Sequence, residues 1–229
     1  MSEEFKDFKS LLRSSHCATK DRWYPASIDN YRDFFYRSIK TTGVNNIDFK
    51  LVYSNLAYNM QNLEYIKLQL DSLVLSSVLE KMLYKSFIIT GMSIVEAIFY
   101  ITLVDNGELS KHGWVLQDEL VANKGKIRVT TKIEVKKDNP GVLTRIPSLD
   151  SMIKKVNKLN NKKSLPWDLS KDDFPVLKNL RKLRNRVHIN GVDSNSESID
   201  SDYAAFSENE YLLMNKILEH LLGIKIGEI

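Results

Sequence analysis

From Leu51 onward, apolar positions recur every three or four residues. Val52, Leu56, Met60, Leu63, Ile66, Leu70 and Leu73 fall on one side of a helix with 3.6 residues per turn. Asn55, Asn59, Gln61, Lys67 and Gln69 interleave as a polar face. Asp71 or Ser72 is placed to cap a second helix that runs to Val104, where Asp105-Asn106-Gly107 is a stop signal. That helix is amphipathic at first and apolar nearly all round over residues 87–104, the pattern of a central buried helix. Ahead of it, residues 28–39 read as a short helix with Ser27 as N-cap, and Gly43 marks a break. Residues 1–45 have no sustained period and form an N-terminal extension.

The period changes at residues 126–136. Ile127, Val129, Thr131, Ile133 and Val135 alternate with Lys126, Arg128, Thr130, Lys132, Glu134 and Lys136. A period of two predicts a strand or hairpin with one basic face, closed by the turn Asp138-Asn139-Pro140-Gly141. A helical pattern returns over residues 148–159. Residues 154–163 hold five lysines and three asparagines, which fit a solvated face and loop better than an RNA contact. Trp167, Asp168 and Leu169 follow Pro166 in a loop. Asp172 or Asp173 then caps a helix over residues 174–190, with Gly191 as C-cap, and residues 191–202 read as a flexible Ser- and Asp-rich loop. Ser207 with Glu210 three residues later is a capping box for a last helix, whose apolar stripe is Tyr211, Met214, Leu218 and Leu221. The expected fold is therefore all-α in the main: one helical domain over residues 1–229, a bundle with a small β insertion at residues 126–136.

Composition narrows the setting. Only 9 Gly and 5 Pro in 229 residues argue against a turn-rich all-β fold. A lone cysteine, Cys17, excludes an internal disulfide framework and suits a reducing, cytoplasmic compartment. The opening MSEEFKDFKS lacks the apolar core of a secretory signal. The apolar run 87–104 nearly has the length to cross a bilayer. Glu96 near its centre and the lack of aromatic and basic belts favour a soluble core helix and no membrane. A net charge of +4 permits a nucleic-acid partner without demanding one. No phosphate loop, dinucleotide fingerprint or nucleophile elbow is present, and four histidines with one cysteine make a protein-only metal site improbable, so neither metal nor cofactor is expected.

One helix concentrates chemistry. Arg181, Arg184, Arg186 and His188 fall within eight residues. Arg181 and His188 are almost two turns apart, so they project to one side about 10 Å apart along the axis. Arg184 lies between them on nearly the same side, Asn185 at its flank, and Arg186 points away. A guanidinium is permanently charged and offers a planar donor fork to phosphate. It can stabilise the added charge of a phosphodiester transition state. A histidine moves protons near neutrality. RNA brings its own nucleophile, the 2′-hydroxyl.

With its neighbours, this helix resembles the HEPN superfamily, whose mark is an arginine, four to six residues and a histidine on the penultimate helix of a bundle. Arg181-Lys-Leu-Arg-Asn-Arg-Val-His188 has six intervening residues. The order is also similar: a long apolar helix holding Ser93-Ile94-Val95-Glu96-Ala97, the Arg/His helix, a loop, and a last amphipathic helix ending Glu219-His220-Leu221-Leu222-Gly223. The resemblance covers residues 50–222, with the β insertion as a departure. It implies a helical bundle that pairs as a homodimer, with paired Arg/His helices lining one RNA cleft. It further implies a metal-independent endoribonuclease or RNA-binding protein of a defence or toxin–antitoxin system, with RNA and an antitoxin or other protein as partners. Arg181 would then hold phosphate and His188 would transfer or position a proton. Glu96 would be a buried polar partner, with Arg184 and Asn185 in support. A polar residue usually follows the motif arginine. That place is Lys182 after Arg181 or Asn185 after Arg184, and the second register leaves three residues before His188.

The family also holds non-catalytic members with degenerate motifs, so the alternative is a helical protein-interaction module. In the plainest reading the arginines are solvated or paired with acids, Glu96 finds an arginine as its structural partner, and His188 sits at a helix C-terminus where the dipole favours a cation. Tyr31, Phe34, Phe35 and Tyr36 then belong to the core or an interface.

Overall fold

The Ser27 hydroxyl accepts the backbone N–H of Asn30 at 3.2 Å and so starts the first helix, α1 (Ile28–Ser38). The computed structural model describes residues 25–39, 49–109, 112–124, 127–138, 147–162, 165–186 and 205–226. Tyr31 and Phe35 of α1 are fully buried, Phe34 is partly so, and Tyr36 is exposed. This divides the aromatic set by helix face. Gly43, Gly191 and the loop 191–202 lie outside the described residues.

Next comes α2 (Lys50–Ser72), whose predicted stripe is inside at Leu56, Met60, Leu63 and Ile66. It packs on α1. A carboxylate inside this contact, Glu64, accepts the Tyr31 hydroxyl at 2.5 Å. Neither Asp71 nor Ser72 caps the next helix. Asp71 pairs with Lys67 at 2.6 Å, the backbone turns extended at Leu73, and Ser76 occupies the N-cap of α3 (Ser77–Asp105). An i,i+4 ion pair within α2 thus holds the aspartate that the spacing assigns to a cap.

Helix α3 is the axis of the fold. Its residues from Phe87 to Val104 include twelve buried ones, and Gly107 ends it with φ of 69° in the left-handed region. It is the one described helix long and apolar enough to cross a membrane, and 67% of its most apolar window lies buried in the protein. Against α3 pack α2, α4 (Leu149–Asn160), α5 (Asp173–Asn185) and α6 (Glu208–Leu222). Gly91 permits close approach of α6: a methyl at that position would meet Met214 at 3.0 Å. Ser148 caps α4 through the Ser151 N–H, and Ser207 with Glu210 forms the capping box of α6. Tyr211, Met214, Leu218 and Leu221 all face the core. The fold is thus mainly helical, with six helices among the described residues.

The β insertion is a longer hairpin than the alternation predicts. Strand β1 (His112–Lys124) pairs antiparallel with β2 (Ile127–Asp138), Glu119 opposite Lys132 and Leu120 opposite Thr131. The register shifts between Leu116 and Asp118. Such a bulge throws later side chains to the other face, which hides the strand period in β1. Leu120, Val121 and Ile133 are 57%, 44% and 43% exposed, and no described hairpin side chain joins the core.

Candidate functional site

The arginine-rich helix is held from two sides. On the α3 side, Arg184 Nη1 lies 2.6 Å from Glu96 Oε2, with both side chains about 30% exposed. On the α4 side, Arg181 Nη2 lies 3.2 Å from Asp150 Oδ1, and the other oxygen of Asp150 takes Lys154 Nζ at 2.5 Å. The two arginines are three residues apart, so their side chains diverge by about 60° around the axis. That offset sends them to different neighbouring helices. The structure thus brings Glu96 to Arg184 and leaves Arg181 to a residue outside the predicted set. Asn185 is the last residue of α5 and is exposed. The expected course of this helix to residue 190 passes beyond the described residues, which end here at Arg186, and His188 lies outside them.

The start of α5 is anchored by a network that spacing alone does not announce. Asp172 stands at the N-cap without a side-chain capping bond. The carboxylate that anchors the turn is Asp173, buried at 4% exposure. Its Oδ2 accepts the Ser170 N–H at 2.7 Å, the Ser170 hydroxyl at 2.9 Å and the His220 Nδ1–H at 3.0 Å. The His220 carbonyl in turn accepts the Asp168 N–H at 2.9 Å. Burial alone would raise the Asp173 carboxyl, but the bonds from His220 and Ser170 outweigh it and hold it below the ordinary carboxylate range. The cue available in the sequence is Ser170 three residues before Asp173, a capping-box spacing. The His220 contact joins residues 47 apart in the chain and leaves no such cue.

Asp150 is the second residue the pattern does not single out. In sequence it reads as a first-turn acid on α4, favoured there by the helix dipole. Only the packing of α4 on α5 makes it an arginine partner. Its carboxyl is held below the ordinary range, first by the hydrogen bond from Lys154 and then by the charges of Arg181, Lys154 and Lys178.

Chemically, the two pairs do different things. The Glu96–Arg184 bond is short and ties α5 to the apolar half of α3. Arg181 is held more loosely: its Nε is enclosed yet finds no acceptor among the described residues. No group of three His, Cys, Asp or Glu suited to a metal occurs among the described residues. A pocket of about 530 Å³ including its open mouth lies elsewhere, between Ile98, Thr102, Trp167 and Leu222, and touches none of these charged residues. Compared with protein-family models, with characterised proteins and with solved structures, the chain matches none of them.

Proposed function

We propose that this chain is a HEPN-like protein that binds RNA and cleaves it without a metal ion, as a cytoplasmic homodimer in a defence or toxin–antitoxin system. The observation that carries the reading is the 2.6 Å pair between Glu96 and Arg184. It seats the arginine-bearing penultimate helix against the central apolar helix, which fits the polar partnership that the resemblance implies for Glu96. Arg181 stands one turn before that anchor. In this reading its guanidinium holds the scissile phosphate, His188 takes the proton of the attacking 2′-hydroxyl, and the proton returns to the 5′-oxygen as the P–O5′ bond breaks.

The experiment is incubation of a mixed RNA pool with the wild-type chain and with His188→Ala, both in EDTA and both checked for native helical content. Cleavage by the wild type that disappears in the variant supports the reading. No cleavage by a folded wild-type protein defeats it. A second reading, a non-catalytic interaction module that engages RNA or a protein such as an antitoxin, is favoured by one observation: Arg181 and Arg184 each already hold a carboxylate. RNA affinity that falls steeply with salt, without cleavage, is its signature.

A further inference from the structure

Helices α4 and α5 run antiparallel. Asp150 at the start of α4 meets Arg181 near the end of α5, while the Asn160 side chain at the end of α4 donates to the Leu169 carbonyl just ahead of α5 at 3.0 Å. The two helices carry seven Lys or Arg residues against two Asp. Asp173 is buried and committed to His220 and Ser170. Asp150 is thus the one acid these two helices give to their seam, facing Lys154, Lys178 and Arg181, more cations than one carboxylate can neutralise.

The lysines form two rows. Lys154 and Lys158 stand one turn apart and exposed on α4, and Lys178 and Lys182 do the same on α5. Among the described residues, none of the large exposed apolar side chains belongs to either helix. A membrane surface or a docked protein would want such anchors beside the charge, whereas a nucleic-acid backbone wants charge alone. Arg181 adds a second observation: its ion pair among the described residues is a single 3.2 Å contact to Asp150, short of the two-bond geometry that a phosphate or carboxylate fork provides.

We propose that the α4–α5 seam is the track for an RNA backbone, with Asp150 as its built-in counter-ion. Backbone phosphate displaces the Asp150 carboxylate from Arg181 and Lys154, and Lys154, Lys158, Lys178 and Lys182 line the path. The inference rests on the RNA reading above and adds the entry surface and the competing anion. Asp150 restrains binding until a polyanion replaces it.

The test is fluorescence anisotropy of a fluorescein-labelled, 2′-O-methylated oligouridine, which binds but offers no 2′-hydroxyl for cleavage, titrated at several salt concentrations. The combined variant Lys154→Gln, Lys158→Gln, Lys178→Gln and Lys182→Gln lowers the slope of log affinity against log salt by about 3. Asp150→Asn raises affinity by about fivefold, the equivalent of one partly exposed ion pair. Wild-type binding that neither variant changes overturns the seam and leaves the RNA reading standing. A wild-type chain that binds neither this probe nor a mixed RNA pool overturns both.

Discussion

Arg184 Nη1 sits 2.6 Å from Glu96 Oε2, and this bond joins the arginine-bearing helix to the apolar half of the central one. The pair is about two-thirds enclosed. Its value therefore lies between that of a surface pair and that of a fully buried one. Glu96→Gln or Arg184→Gln alone is expected to cost about 1–2 kcal/mol in urea unfolding. The double variant should show a coupling of about 1 kcal/mol, because removing both partners leaves no orphaned charge. A coupling indistinguishable from zero would mean that apolar packing, and not this bond, seats α5.

The Asp173 network makes stability depend on pH in a defined direction. The carboxyl is depressed in the folded state, so it stabilises the protein above the unfolded pKa of about 3.9 and loses that contribution as pH falls through the lower folded value. Asp173→Asn should cost about 1–3 kcal/mol at pH 7, where it removes a charged acceptor of three hydrogen bonds. Thermal unfolding of wild type and variant between pH 7 and pH 3 should then converge as the pH falls below about 4. Parallel curves throughout would show that the carboxylate charge contributes nothing there.

Tyr31 and Glu64 make the corresponding contact between α1 and α2, in a drier place. The phenol is pushed far above its ordinary range, first by burial and then by the Glu64 hydrogen bond and charge. Tyr31→Phe keeps the ring and withdraws the donor from a carboxylate only 6% exposed. The expected cost is about 1–3 kcal/mol with an unchanged denaturant slope, since the surface exposed on unfolding stays the same. A loss below a few tenths of a kcal/mol would mean that Glu64 is satisfied without Tyr31.

Helices were the legible part of this chain because a 3.6-residue apolar stripe announces them, reinforced in several cases by a terminal signal. Ser27 and the Ser207–Glu210 box act where the spacing puts them, and Ser148, read as the first residue of a helix, is its N-cap. The Glu96 partnership is legible for a related reason: one carboxylate on an apolar helix requires a cation, and α5 is the cation-rich helix. Asp150 is not legible, because its role depends on two helices meeting antiparallel, and no local period encodes that. Nor is β1, whose bulge breaks the alternation that β2 displays. The start of α3 slips by several residues because Asp71, a good cap by type, is engaged by Lys67 one turn back.

The hairpin offers the sharpest test of how the fold divides its labour. Its strands pair with each other in a two-stranded sheet, and Leu120, Val121 and Ile133 remain substantially exposed. Two strands alone are marginal in water, so the hairpin draws little stability from itself. The core, in turn, takes no described side chain from it. Replacing residues 112–138 with a short Gly/Ser linker should therefore shift the unfolding free energy of the helical body by less than about 1 kcal/mol, within the range of surface changes. Helical ellipticity per residue should rise, since strand residues are removed and helical ones kept. Collapse of the helical signal on deletion would instead show that the hairpin is part of what holds α3 to its neighbours. A folded, hairpin-free protein would in addition let RNA binding at the α4–α5 seam be measured without the basic residues of β2.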